Sequence, residues 1–125
     1  MANSVDELAV YQKALAATYA LSAILARPTS RRDLDLERQL NRAAVQVVSN
    51  IAEGFEQNTD RHFASYLYRA RGSTREIRAQ LRIAIDRARL TDQESATLAG
   101  RFEEVAKMLT GLIRHLERED RKQRR

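Results

Sequence analysis

Arginine is the residue type whose spacing points most clearly to chemistry in this sequence. Between Asp60 and Arg89 there are eight arginines and three acidic residues, a net charge of +5. If the segment is helical, Tyr68 and five of these arginines share one narrow face, about 100° from the apolar residues. The five are Arg71, Arg75, Arg78, Arg82 and Arg89. The pattern predicts a phosphate-binding face with a tyrosine that can stack on a base; the alternative is a solvated face paired with neighbouring acids.

Arginine is also abundant in the chain as a whole. Only three of the 22 basic residues are lysine, the formal net charge is +5 and the pI is near 10.1. The planar guanidinium group binds phosphate in a forked geometry, which favours a nucleic-acid partner. The base composition of the gene explains the same count equally well. The count alone therefore does not decide between the two explanations.

Residues that carry catalysis or hold metals are not arranged for either task. The chain has no cysteine, which excludes disulfides and thiolate catalysis. Neither His62 nor His115 follows a glutamate by three residues, as the ligands of di-metal bundles do. The four glycines are isolated, so there is no phosphate-binding loop. We expect a protein that is not an enzyme and that has no catalytic residue, no cofactor and no metal ion.

A second polar group belongs to the helices on either side of residues 56–60. It comprises Arg42, Asn50, Glu53, Ser73 and Glu76, next to Arg71. One interpretation is a ligand site. The other is a hydrogen-bonded network that fixes the helix register or joins subunits, because buried polar groups must be paired. We favour the structural network, since arginine–carboxylate pairs commonly serve this purpose.

Apolar periodicity predicts four long helices. They span about 4–27, 36–55, 59–90 and 91–117, and capping boxes open the first at Ser4 and Glu7 and the fourth at Thr91 and Glu94. Short connections between amphipathic helices indicate an all-α, antiparallel up-down-up-down four-helix bundle. We expect the bundle to occupy residues 1–117, followed by a charged C-terminal tail at 118–125 that frays.

The third and fourth helices carry a heptad pattern of apolar residues. The apolar seam of the third helix is Phe63, Leu67, Ala70, Thr74, Ile77, Leu81, Ala84 and Ala88. The seam of the fourth helix is Leu98, Phe102, Val105, Leu109, Leu112 and Leu116. Gly72 and Gly111 lie inside these helices, where glycine costs about 1 kcal/mol relative to alanine. We expect close helix crossings at both glycines.

The first helix has two apolar stripes, although a monomeric bundle buries only one. One stripe is Leu8, Tyr11, Leu15, Ser22 and Leu25; the other is Val10, Ala14, Ala17, Leu21 and Ile24. We assign the second stripe to an oligomer interface. Asp6 and Glu7 stand where a signal peptide needs positive charge, and the segment is a poor spanning helix. The expected location is the cytoplasm, without membrane association.

The centre of the chain resembles a known family. Arg42 to Phe55 reads RAAVQVVSNIAEGF, Phe63 to Leu81 reads FASYLYRARGSTREIRAQL, and Leu8 to Leu15 reads LAVYQKAL. These stretches resemble the bacterial four-helix bundle proteins encoded in 23S rRNA intervening sequences. The resemblance implies a homopentamer and a relationship to Avd, the accessory protein of diversity-generating retroelements, which partners a reverse transcriptase and nucleic acid. The first loop, RPTSRRDLDL, departs from the family's pattern of proline, acid and apolar pair.

Two functions are consistent with these features. The first is a non-enzymatic homo-oligomer that binds the backbone of RNA or DNA through the arginine face of the third helix. The second is a protein-interaction scaffold or accessory subunit, for example one that docks a reverse transcriptase or another effector protein.

Overall fold

Four helices arranged as an antiparallel bundle make up the fold. The computed structural model describes residues 2–30 and 32–124, with α1 at Ala9–Leu25, α2 at Leu34–Phe55, α3 at Asp60–Asp86 and α4 at Asp92–Gln123. Consecutive helices pack on one another, and α1 closes the bundle against α4. This arrangement confirms the predicted all-α, up-down-up-down bundle. Among the described residues, no helix combines the length and apolar character needed to cross a membrane.

The core follows the predicted seams of α3 and α4 with three exceptions, of which the first is Phe63, half-buried at the start of α3. Leu67, Ala70, Thr74, Ile77, Leu81 and Ala84 are buried on α3, and Leu98, Phe102, Val105, Leu109, Ile113 and Leu116 are buried on α4. On α4, Ile113 is buried at the place predicted for Leu112, and Leu112 is only half-buried. The core position shifts by one residue because a straight helix drifts from a strict seven-residue repeat. Ala88 is exposed, since α3 ends before it.

Helix ends follow the predictions unevenly. In the capping box of α4, the Glu94 amide donates to Thr91 Oγ1 at 3.1 Å and the Thr91 amide donates to Glu94 Oε1 at 3.0 Å. The box predicted at Ser4 is wrong: a 3-10 turn occupies Val5–Glu7, the Ser4 side chain makes no cap, and α1 begins at Ala9. At the other terminus α4 continues through Gln123, so residues 118–123 belong to the helix.

The interface stripe predicted on α1 is part of the core. Val10, Ala14, Ala17 and Leu21 are at most 5% exposed, and Ile24 is half-buried. The assignment was wrong because the small side chains at 14 and 17 let α1 pack closely against its neighbours. The other stripe lies mostly at the edge of the core. Its Ser22 Oγ donates to Asn41 Oδ1 of α2 at 3.0 Å.

The glycine that allows two helices to pack closely is Gly54, and not Gly72 or Gly111 as predicted. A Cβ on Gly54 would lie 2.9 Å from both Phe63 Cδ1 and Tyr66 Cβ, so this glycine lets α2 and α3 approach each other. A Cβ on Gly72 or Gly111 would meet no atom within 4 Å among the described residues. The expectation of close crossings at these two positions was therefore wrong, because both glycines face outward.

Candidate nucleic-acid interface

The arginine face predicted on α3 retains four of its five arginines. Arg75, Arg78 and Arg82 are exposed, and Arg71 is half-buried beside them. Arg71 lies on the side of α3 that meets α4, where it contacts Thr110. Within Asp60–Asp86 there are six arginines and three acids, a net charge of +3. We call Arg71, Arg75, Arg78 and Arg82 the arginine face.

Arg71 is held in place by two neighbours. Its Nη1 donates to Thr110 Oγ1 of α4 at 3.1 Å, and its guanidinium carbon lies 4.9 Å from the centre of the Tyr68 ring. The Tyr68 hydroxyl donates to Glu117 Oε2 at 2.9 Å, and this hydrogen bond raises the pKa of Tyr68 above its usual value. Arg71 therefore covers one face of the ring that was expected to stack on a base, and only the remainder is open.

Acidic residues of the same chain neutralise little of the positive charge on the other members of the arginine face. Among the described residues, Arg75 and Arg78 have no ion-pair partner. Arg82 Nε lies 3.7 Å from Asp86 Oδ1, and both side chains are more than half exposed. An exposed pair of this kind is weak and is screened by salt. The positive charge of this face is therefore available to an external anion.

Arg89 does not belong to the arginine face, because the chain turns just before it. Ala88 has a φ of 56°, the left-handed conformation that ends many helices. The Ala88 amide donates to the Ile85 carbonyl at 2.9 Å, and the Arg89 amide donates to the Ala84 carbonyl at 2.8 Å. These two bonds form a Schellman motif, which redirects the chain into the end of the bundle.

The side chain of Arg89 is buried in an ion pair. Its Nε lies 2.9 Å from Glu37 Oε2, and its Nη2 donates to the Leu25 carbonyl at 2.6 Å. Burial would raise the pKa of Glu37, but hydrogen bonds from Arg32 and Arg89 outweigh it and lower the pKa to about 2. The assignment of Arg89 to nucleic-acid binding was therefore wrong. Arg89 joins α1, α2 and the α3–α4 connection.

The predicted polar network is not assembled within this chain. Arg42 and Glu53 are exposed, and neither side chain has a hydrogen-bond or ion-pair partner among the described residues. Asn50 Nδ2 donates to the Gln46 carbonyl of its own helix at 2.8 Å. Ser73 is buried, while Glu76 is exposed and accepts from Gln80 Nε2 at 3.3 Å. A network that connects these residues within one chain was therefore a wrong prediction, and their role in joining subunits stays a prediction.

Sequence reasoning missed two features outside the arginine face. Arg69 is exposed, and its guanidinium carbon lies 4.7 Å from the centre of the Tyr66 ring. A groove of about 420 Å³ separates the start of α3 from the end of α4. Its charged lining is Arg61, Glu117, Asp120, Arg121 and Arg124. The groove was not foreseen because the sequence was expected to fray after Glu117.

The described residues offer no group of three histidine or acidic side chains that could hold a metal ion. His62 sits at the start of α3, where its Nδ1 lies 3.0 Å from Thr59 Oγ1, the oxygen that caps the helix. Its local environment is therefore that of a helix terminus.

Comparisons with known proteins agree with the fold. A crystal structure of a protein of unknown function from the S23 ribosomal protein family of Bacteroides thetaiotaomicron superposes with a TM-score of 0.76. It is 19% identical in sequence, and the match covers 83% of this chain and 97% of that one. A search of curated proteins found no significant match. The profile described as 23S rRNA-intervening sequence protein matches residues 6–111. The chain therefore belongs to the 23S rRNA-intervening sequence protein family.

Proposed function

We propose that this protein is a non-enzymatic, cytoplasmic homo-oligomer that binds the backbone of RNA or DNA. The observation that supports the proposal best is the arginine face. Arg75 and Arg78 are exposed and unpaired among the described residues, next to Arg71, which Thr110 fixes in place. Phosphate contacts of this kind position a nucleic acid without reading its sequence. The proposal needs no catalytic group, cofactor or metal ion.

The test is binding measured by fluorescence anisotropy with labelled single-stranded RNA and duplex DNA at several salt concentrations. The parent should bind most tightly at low salt, because each neutralised phosphate releases a counterion. Replacing Arg75, Arg78 and Arg82 with glutamine should weaken binding roughly tenfold or more. It should also make the salt dependence shallower by about two to three ion equivalents.

A matched control removes three positive charges elsewhere on the protein. Replacing Arg121, Lys122 and Arg124 with glutamine changes the net charge by the same amount at the end of α4. If both variants lose affinity equally, binding reflects net charge or the end of α4 rather than the arginine face. If the parent does not bind at low salt, the nucleic-acid function fails.

The outer face of α1 supports self-association. Between Ala9 and Ala26 the only charged residue is Lys13, which pairs with Glu104 of α4 at 3.4 Å. The exposed residues on this face include Ala16 and Tyr19, and the Tyr19 side chain is 67% exposed. A surface this poor in charge is unusual on a protein with 31% charged residues, and apolar patches of this kind mark interfaces. We propose it as the subunit contact, with five copies expected from the family resemblance.

Sedimentation equilibrium tests this contact. Ala16→Glu together with Tyr19→Lys should reduce the mass to that of a monomer and leave the helical signal unchanged, because both positions are exposed. Leu21→Glu cannot serve, since Leu21 is fully buried and the variant should not fold.

The scaffold function is the second candidate, and the same α1 face favours it. If the parent sediments as a monomer and binds no nucleic acid, this face is available to a different protein, such as a reverse transcriptase or another effector. In the sedimentation experiment, the mass of a dimer or tetramer would contradict only the expected number of five copies.

A further inference from the structure

Gly72 lies in the middle of α3, at a position where glycine has no internal explanation. Glycine weakens a helix interior because it loses the most backbone entropy on folding. A Cβ at position 72 would meet no atom within 4 Å among the described residues, whereas one on Gly54 would collide with α3. Packing inside the chain therefore requires glycine at position 54 but not at position 72.

Two arginines flank the exposed backbone at Gly72. Arg69 lies one turn before it and Arg75 one turn after it, about 60° to either side around the helix axis and about 9 Å apart along it. Both are exposed, and Arg69 is stacked on Tyr66 at 4.7 Å. Glu76 lies one turn after Gly72 and about 40° from it on the Arg69 side, within this surface, and it accepts a hydrogen bond from Gln80.

We propose that the sugar–phosphate backbone of a nucleic-acid strand lies directly against Gly72, with phosphates bound by Arg69 and Arg75. The missing side chain lets the strand approach the helix closely enough for both guanidinium groups to reach it. Two exposed arginines favour a polyanion as the occupant, and a subunit contact at Gly72 is the alternative outcome of the test. The inference rests on the proposed function and adds the contact point and Arg69 to it.

The test compares glycine substitutions on two helices. Gly72→Ala and Gly72→Gln are measured against Gly100→Ala, which lies in the interior of α4, is also exposed and also has open space around it. All three should raise the melting temperature by roughly 2–5 °C, because each replaces glycine in a helix. Only the Gly72 variants should weaken RNA or DNA binding, roughly fivefold for alanine and more for glutamine.

The outcomes separate this inference from the proposed function. If Gly72→Gln binds as tightly as Gly100→Ala while the Arg75, Arg78 and Arg82 variant is weakened, the contact at Gly72 is wrong and the arginine face stands. A parent that binds no nucleic acid refutes both. A change in sedimentation mass on replacing Gly72 assigns the glycine to a subunit contact and overturns the inference.

Discussion

Arg89 Nε lies 2.9 Å from Glu37 Oε2, and the side chains of both residues are less than a tenth exposed. A second arginine, Arg32, donates to the same carboxylate through Nη2 at 2.7 Å. Arg89 also donates to the carbonyl of Leu25, the last residue of α1. This cluster joins three parts of the chain at the end of the bundle where α1 and α3 finish and α2 and α4 begin.

Replacing Arg89 with methionine should destabilise the protein by roughly 3–5 kcal/mol, because it leaves a buried carboxylate with one partner fewer. Arg87→Met is the matched control. Arg87 pairs with Asp33 at 2.8 Å, but its side chain is 57% exposed, so its loss should cost less than about 1 kcal/mol. Urea denaturation measures both free energies of unfolding. Equal effects would show that the buried pair has no special role.

Acid should weaken the same cluster. Burial alone would raise the pKa of Glu37, but its arginine partners lower it from 4.5 to about 2. A carboxylate whose pKa is lower in the folded state stabilises the fold above its unfolded pKa, and that stabilisation is lost as the pH falls towards the folded pKa. The contribution of Glu37 should therefore be complete above about pH 5 and should decline between pH 4.5 and 2.

Glu37→Gln provides the measurement for this pH dependence. The variant should be less stable than the parent at pH 7, and the difference should narrow between pH 4.5 and 3 in denaturant titrations. Some acid sensitivity should remain in the variant, because hydrogen bonds also lower the pKa values of Asp33 and Glu94. A gap that stays constant over this range would contradict the assignment.

Replacement by alanine should change the stability of the protein in opposite directions at Gly54, which is packed against α3, and at Gly111, which is exposed. Gly54→Ala should destabilise by about 1 kcal/mol or more, because the new Cβ would press on Tyr66 Cβ and on the Phe63 carbonyl. Gly111→Ala should stabilise by about 0.5–1 kcal/mol through helix propensity alone. Thermal melts of the two variants measure the contrast. Stabilisation by both would show that α2 and α3 are not in close contact at Gly54.

Most features fixed by local sequence were predictable, with the Ser4–Glu7 capping box as the exception, and those set by tertiary packing were not. The Thr91–Glu94 capping box involves residues three apart, and the α3 seam follows from helical periodicity up to Ala84. The choice between the stripes of α1 depends on which side meets α2 and α4. Both stripes have helical spacing, so the sequence alone could not show that Ala14 and Leu21 face inward.

The arginine face shows the same difference between features set by local sequence and features set by tertiary packing. Arg71, Arg75, Arg78 and Arg82 lie within an unbroken helix, so a helical wheel predicts their shared face. Arg89 lies beyond a left-handed residue, where that extrapolation fails. The turn is difficult to predict because Ala88 is an alanine at a position where glycine is the usual signal.

Ala88→Gly should therefore stabilise the protein. A left-handed conformation costs a non-glycine residue about 1–2 kcal/mol, and the greater entropy of glycine in the unfolded chain offsets part of the gain. We expect a net stabilisation of about 0.5–1 kcal/mol. Ala79→Gly is the control, because Ala79 is exposed within α3, where the same change should destabilise by about 1 kcal/mol.

Ala88→Val tests the same turn from the opposite side, because a β-branched residue at positive φ is strongly disfavoured. This variant should lose stability and disturb the Arg89–Glu37 pair, since the turn at Ala88 directs Arg89 into the bundle. Its stability should then depend less on pH between 4.5 and 2 than that of the parent. If Ala88→Gly destabilises as much as Ala79→Gly, the helix continues through Ala88 in solution and Arg89 returns to the outer surface of α3.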